Sequence, residues 1–283
     1  MTSFPPSSVG HALQEASLHL RAISEVPRVE AEILLTHVLD ASRSTLLTHP
    51  ERRLMEDQLT RYRALVDDRT SGYPLPHLTG EVAFYGLDIE VTPEVMIPRP
   101  ETEMLVELAL AYRPAGVIDV GTGSGCIAVA LAKHLPGVTA YAIDISRPAL
   151  AVARRNAERH GVDDRIQFVV GDLLDRRPAP VDLIVSNPPY VSADEWASLP
   201  SSIRYHEPRL ALDGGPDGLE VIRRLLSQSQ GLLEPGGAIL VEIGASQGDD
   251  VQEIARTCFP REGTIVRIHP DLAGRDRVLE VQL

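Results

Sequence analysis

Val117-Ile118-Asp119-Val120-Gly121-Thr122-Gly123-Ser124-Gly125 is a short apolar strand that runs straight into three glycines, and Cys126 then begins an apolar helix. Glycines in that place permit a tight turn and let backbone come close to a ligand at a helix N-terminus. From Val117 onward strands and helices alternate, with strands expected at 117–120, 139–143, 166–170, 181–185 and 238–243. That alternation predicts an α/β fold with a mostly parallel sheet covered on both faces. Two further strands, at 264–268 and 277–281, flank the short loop 269–274 and are expected as an antiparallel edge pair.

The ends of the first three strands carry polar groups suited to a nucleoside. Gly121, Thr122, Gly123, Ser124 and Gly125 form the turn after the first. Asp144 ends the second, where a carboxylate can accept from both ribose hydroxyls. Gly171-Asp172-Leu173 ends the third, with Asp172 placed to accept from an adenine amino group and Leu173 to pack on the ring. A dinucleotide fingerprint needs G-x-G-x-x-G, whereas here the glycines run G-x-G-x-G and Cys126 takes the later position. No Walker sequence with its lysine is present, which argues against ATP. S-adenosylmethionine, with an adenosine, an amino-acid tail and no phosphate, fits these residues.

The fourth strand ends in Asn187-Pro188-Pro189-Tyr190. An Asn side-chain oxygen is an acceptor, and a carbonyl beside proline has no competing N–H next to it. Together they can accept both hydrogens of a planar –NH2 group, with Tyr190 stacked on its plane. We therefore take Asn187, Pro188, Pro189 and Tyr190 as the candidate catalytic residues. The alternative is a rigid turn, since Asn and Pro are common turn residues, but a turn does not account for the neighbouring nucleoside residues. A sulfonium methyl is the electrophile such a nitrogen site calls for.

The first 75 residues are expected to be helical, broken at Pro27 and near Pro50. Leu13, Ala16, Leu20 and Ile23 fall on one face, as do Ala31, Leu34, Leu35 and Val38, and again Met55, Leu59, Tyr62 and Val66. Residues 81–85 and 89–92 flank Gly86-Leu87-Asp88 as a β-hairpin. The run 97–103 then opens a helix, with proline in its first turn and carboxylates at the positive end of its dipole. Arg99 is not needed for a helix start and is a candidate ligand contact. The expected domains are thus 1–75, a hairpin linker at 76–98, and 99–283.

The 283 residues carry 27 Lys and Arg against 40 Asp and Glu, a net charge of −13, which disfavours a broad nucleic-acid surface. Cys126 and Cys258 form no disulfide framework and no zinc spacing, and the nine histidines have no metal spacing. No signal peptide or membrane-spanning stretch is evident, so a cytoplasmic protein without a metal is expected.

With these motifs in view, the chain resembles the release-factor glutamine methyltransferases called HemK or PrmC. The resemblance runs through Gly80-Glu81, Phe84-Tyr85-Gly86, residues 97–103, 119–126, 186–190, 205–215, Pro235-Gly236-Gly237 and 273–277. It implies a seven-stranded class I S-adenosylmethionine-dependent methyltransferase domain (Rossmann-like), preceded by a helical partner-binding domain and a linking hairpin. It also implies methylation of the glutamine in the Gly-Gly-Gln loop of class-I peptide chain release factors. Gly121 to Gly125, Asp144, Leu173 and Asn187 would hold S-adenosyl-L-methionine, and Asn187 to Tyr190 the glutamine amide. Arg99, with Glu207 and Arg209 in the 205–215 run, are candidate substrate contacts; that run either covers substrate or is plain surface.

Two other functions use the same residues. A nucleic-acid amine methyltransferase would need a basic, aromatic-bearing recognition surface, yet the first 75 residues hold eight Arg against ten Asp and Glu. A non-catalytic adaptor that binds the same cofactor would leave the Asn187 site without a purpose. No stable nucleic-acid binding is expected.

Overall fold

The computed structural model describes residues 5, 7–176 and 179–283. Two compact units emerge, Met1–Gly80 with Ser201–His206, and Glu81–Pro200 with Glu207–Leu283. The helical unit thus runs to Gly80, five residues past the expected boundary, and takes in a short helix from much later in the chain. The hairpin belongs to the second unit.

The first unit is built from α1 (Val9–Leu20), α2 (Pro27–Leu39), α3 (Arg43–Thr48), α4 (Glu56–Thr70) and α5 (Leu75–Thr79). Pro27 starts α2, where its missing N–H costs nothing. Leu13, Ala16, Leu20, Ala31, Leu34, Leu35, Tyr62 and Val66 form its core. Ile23 and Met55, expected on the same faces, are exposed. Each lies just outside its helix, past Leu20 and before Glu56, where the helical period no longer directs the side chain. Buried Glu32 is held by two arginines, Arg28 and Arg43, each at 2.7 Å.

The second unit opens with the hairpin β1 (Glu81–Phe84) and β2 (Leu87–Glu90). Its turn is only Tyr85-Gly86, both left-handed, so Leu87 and Asp88 are strand rather than loop as expected. A two-residue turn with two positive φ values matches the natural twist of a hairpin. Then follow α6 (Thr102–Tyr112), β3 (Gly116–Val120), α7 (Cys126–His134), β4 (Thr139–Asp144), α8 (Arg147–His160), β5 (Ile166–Val170) and β6 (Val181–Ser186). After α9 (Ala193–Trp196) and α10 (Ser201–His206, grouped with the first unit) come α11 (Glu220–Ser229), β7 (Leu233–Glu242), α12 (Gly248–Cys258), β8 (Ile265–Pro270) and β9 (Asp276–Gln282). Helix α6 begins at Thr102, so Pro98 and Pro100 precede it rather than sit in its first turn.

The seven-stranded sheet has the order β5-β4-β3-β6-β7-β9-β8. Five strands are parallel, and β9 and β8 add an antiparallel edge. Alternate residues feed two cores. Val117, Leu183, Val185, Ala238 and Leu240 face α6, α7 and α8, while Ile118, Val120, Ile184, Ile239 and Val241 face α11 and α12. Burial on both faces explains why these strands are continuous apolar runs. Strand β7 starts five residues earlier than expected, because Leu233 pairs with Val181 before the register shifts.

Candidate functional site

The register of the parallel strands assembles the site. Ile143 pairs with Val120, Val120 with Ser186, and Ser186 with Val241. The next residue along each strand is Asp144, Gly121, Asn187 and Glu242, which therefore stand side by side at the carboxyl edge. The strand order reverses on either side of β3, and ligands of open α/β sheets bind at such switch points. A cavity of about 310 Å³ lies there, lined by Gly121, Thr122, Gly123, Ser124, Asp144, Asp172, Leu173, Asn187 and Pro189.

Gly121, Gly123 and Gly125 all take positive φ, so the loop is closed to other residues without strain. At Gly125 a side chain would also meet the Ala153 backbone at 3.0 Å. Buried Asp119 anchors the loop from beneath, accepting from Thr122 Oγ1 at 2.6 Å and the Ala128 amide at 3.2 Å. Burial pushes its carboxyl up to about 7. Buried Asn156 joins the hairpin to the loop, donating to the carbonyls of Ser124 (2.8 Å) and Glu90 (3.0 Å).

Asp144 accepts the Gly123 amide on Oδ2 at 2.9 Å and the Ser146 amide on Oδ1 at 2.8 Å. Burial raises its pKa, and these amides oppose the rise. A carboxylate has about four acceptor positions, so Asp144 keeps acceptor capacity on the cavity it lines. Asp172 gives one oxygen to Arg224 on α11 at 2.6 Å, and Leu173 adopts a left-handed backbone beside it. A cavity lined by the glycine turn, by Asp144 and by Asp172 and Leu173 fits S-adenosylmethionine.

Asn187 donates Nδ2 to Thr102 Oγ1 at 3.0 Å, which leaves Oδ1 as its uncommitted acceptor. Pro189 lines the cavity with Asn187, whereas Pro188 is buried. Tyr190 turns its hydroxyl toward Glu242 Oε1 at 3.4 Å, and burial, then the Glu242 charge, raises its pKa. Its backbone is pinned by the segment 212–218. Val191 exchanges hydrogen bonds with Leu212 and Gly214, both at 2.9 Å, and Gln247 Nε2 bridges the carbonyls of Tyr190 and Gly218 at 3.1 and 3.2 Å.

Arg99 and Glu207 are bonded to each other, and Glu207 also accepts the Ile97 amide at 3.2 Å. Arg209 is largely exposed, paired with Asp213 at 2.8 Å and lying over the Trp196 ring at 5.0 Å. Pro98, Pro208, Leu210, Ala211 and Asp213 line the cavity. The Arg99–Glu207 pair thus clasps two loops that wall it, and neither member is itself a lining residue. Thr102, Glu242, Gln247, Asn156 and Arg224 escaped the sequence reading. Only Glu242 carried a usable signal, a carboxylate ending an apolar strand as Asp144 does.

Cys126 is buried at the start of α7, and burial pushes its thiol up to about 12, the behaviour of a packing residue. Among the described residues no helix is long and apolar enough to cross a membrane, and no cluster of three or more His, Cys, Asp or Glu is placed to hold a metal ion.

Comparison with known proteins shows likeness over most of the chain. Residues 11–80 match the family model described as PrmC N-terminal domain, and residues 100–199 match the methyltransferase small domain. A release factor glutamine methyltransferase of Moorella thermoacetica is 44% identical over 272 residues, covering 94% of this chain and 95% of its own. One of Nitratidesulfovibrio vulgaris is 40% identical over 285 residues, covering 97% of this chain and 96% of its own. A methyltransferase from Pyrococcus furiosus superposes with a TM-score of 0.53 at 19% identity, over 79% of this chain and 98% of that one, a likeness of fold.

Proposed function

This chain belongs to the family of release factor glutamine methyltransferases, and we propose that it methylates the side-chain amide nitrogen of the glutamine in the Gly-Gly-Gln loop of class-I peptide chain release factors. The observation that carries the reading is the Asn187 amide, whose Nδ2 is committed to Thr102 while Oδ1 stays available. An acceptor fixed in that way selects a nitrogen that still has hydrogens to donate.

An amide nitrogen is a poor nucleophile because its lone pair is delocalised into the carbonyl. Asn187 Oδ1 and the Pro188 carbonyl accept its two hydrogens, so positive charge developing on nitrogen meets fixed acceptor dipoles. Tyr190 flanks the amide plane and favours cationic character beside it. S-adenosylmethionine supplies an electrophilic methyl group on its sulfonium when bound. Gly121 to Gly125 and Asn187 hold its amino-acid end, Asp144 the ribose, and Asp172 and Leu173 the adenine. Holding both partners in line accounts for roughly 7–11 kcal/mol of barrier lowering at the upper end. No general base is needed before attack, since the alkylated nitrogen is strongly acidic and loses its proton to water. Arg99 and Glu207 serve substrate binding through the loops they clasp, and Arg209 through Asp213. A substrate of this kind places the enzyme in the cytoplasm.

The test offers methyl-labelled S-adenosylmethionine with four acceptors: a Gly-Gly-Gln release factor, its Gln→Ala variant, duplex DNA and total RNA. Label on the first factor alone, mapped to the glutamine amide, is the expected result. Label on nucleic acid overturns the reading.

A further inference from the structure

The loop after β5 that carries Asp172 and Leu173 is held from one side by α11. Val221, Arg224 and Gln228 follow one another at helical spacing and so share one face of that helix. Val221 and Arg224 line the cofactor cavity, Arg224 donates to Asp172 Oδ2 at 2.6 Å, and Gln228 Oε1 accepts the Leu174 amide at 2.8 Å. Within the loop the Asp172 amide donates to Asp175 Oδ1 and the Gly171 amide to the Asp144 carbonyl, both at 3.1 Å. Leu174 is fully buried. The backbone is thus fixed at 171, 172 and 174. The Asp172 side chain is half in water, and among the described residues only Arg224 holds it.

A half-exposed ion pair contributes little to stability, and α11 carries a second one for comparison. Arg223 donates to Asp217 at the same 2.6 Å, with both side chains exposed to a similar degree. That pair borders a different hollow, lined also by Asp250, Glu253 and Cys258 of α12. Of the two pairs, Arg224–Asp172 is the one on the cofactor cavity. A carboxylate bonded to a guanidinium only accepts hydrogen bonds. Arg224 takes Oδ2, and among the described residues nothing donates to Oδ1. The 6-amino group of adenine is a donor that such an oxygen selects. Without Arg224 the Asp172 side chain spreads over solvated rotamers and has to be ordered again each time the cofactor binds.

We propose that Arg224 is a positioning residue which, by fixing the Asp172 carboxylate, makes this site select a 6-aminopurine. The assignment rests on the cofactor placement above, with Asp172 and Leu173 at the adenine, and is independent of the methyl acceptor. It makes α11 a wall of the cofactor site as well as a helix that packs on the sheet.

The experiment titrates two ligands into the full-length protein by calorimetry. One is S-adenosylhomocysteine, the cofactor after methyl loss, and the other is its analogue with hydrogen in place of the 6-amino group. The wild type is expected to bind the amino compound about tenfold more tightly, the worth of one hydrogen bond to a partly solvated charged acceptor. In Arg224→Ala that preference should fall to about twofold, through a weaker Kd for the amino compound and a nearly constant Kd for the analogue. Asp172→Ala should behave alike, and adding Arg224→Ala to it should change neither Kd further, since Arg224 acts through Asp172. Arg223→Ala removes the comparison pair and should leave both affinities as in the wild type. A wild-type preference that survives Arg224→Ala overturns the proposal, as does a further loss in the double variant or the same loss in Arg223→Ala. Both ligands weakened equally in Arg224→Ala, with a lower melting temperature, would mean a merely structural role and overturn it too. Equal wild-type affinities for the two ligands overturn the adenine placement itself, and the proposal with it.

Discussion

Gly218 packs its α-carbon so tightly against the Tyr190 carbonyl that a β-carbon there would overlap the oxygen, and its backbone is left-handed (φ +74°) as well. Gly214 is in the same position on the other side, where an added β-carbon would lie 2.8 Å from Tyr190 Cα. The glycines of the 213–218 segment thus shape the backbone of the Asn-Pro-Pro-Tyr turn. Gly218→Ala is expected to destabilise the protein by about 2–4 kcal/mol, from strain plus displacement of packed backbone, and to lower turnover. Gly263→Ala has a positive φ but nothing within 4 Å. It should cost only about 1–2 kcal/mol and leave kcat unchanged. Thermal melts with turnover on a release factor check both; equal activity in the two variants would refute the supporting role of Gly218.

Asp144 separates affinity from stability. Its oxygens hold the Gly123 and Ser146 amides, and on the proposed reading they also take the ribose hydroxyls. Burial already raises its pKa, so the folded chain bears a cost for the charge. Asp144→Ala should therefore weaken S-adenosylmethionine binding about 100-fold, the equivalent of two hydrogen bonds with a charged acceptor, while the melting temperature moves by only a few degrees. Calorimetry and a thermal melt on the same sample decide it; an unchanged Kd rules out the ribose role.

What the sequence disclosed about this site, and what it hid, follow from the range of the contacts. The glycine turn, Asp144, Asp172 and Asn187 each lie at the end of an apolar strand, so a local pattern marks them. Thr102 meets Asn187 across 85 residues, Tyr190 meets Glu242 across 52, and Arg99 meets Glu207 across 108. Such pairs have no local signature, because strand order and register decide them. Arg99 and Glu207 were legible as unusual residues, but not as partners of each other. The hairpin is legible, but its turn falls at 85–86 and not at 86–88, since Tyr85 at φ +48° is a residue type that rarely adopts a left-handed backbone.

The Arg99–Glu207 clasp gives a stability prediction with a functional signature. The Glu207 side chain is only 1% exposed and also caps the Ile97 amide, while Arg99 is partly open to water. Removing the arginine leaves a carboxylate buried beside backbone alone. Arg99→Ala should cost about 2–3 kcal/mol, seen as a lower denaturant midpoint. Cofactor affinity should weaken too, since the loops at 94–98 and 208–213 wall the cavity. Glu207→Gln keeps the Ile97 contact and should cost less than Arg99→Ala; the reverse ranking would show that the charge pair is not what holds these loops.

Glu242 should also leave a mark on the pH dependence of folding. Burial raises its folded-state pKa to about 7 from an ordinary 4.5. The folded chain therefore holds a proton that the unfolded chain gives up, and stability from this group is full below about pH 4.5. It is lost as pH rises through about 7, after which the folded state carries a buried charge. Glutamine has no such titration. At pH 4 Glu242→Gln and wild type should unfold at similar denaturant midpoints, whereas at pH 8 the variant should be more stable by up to about 3 kcal/mol. Equal stability differences at the two pH values would mean that Glu242 is not a buried titrating group.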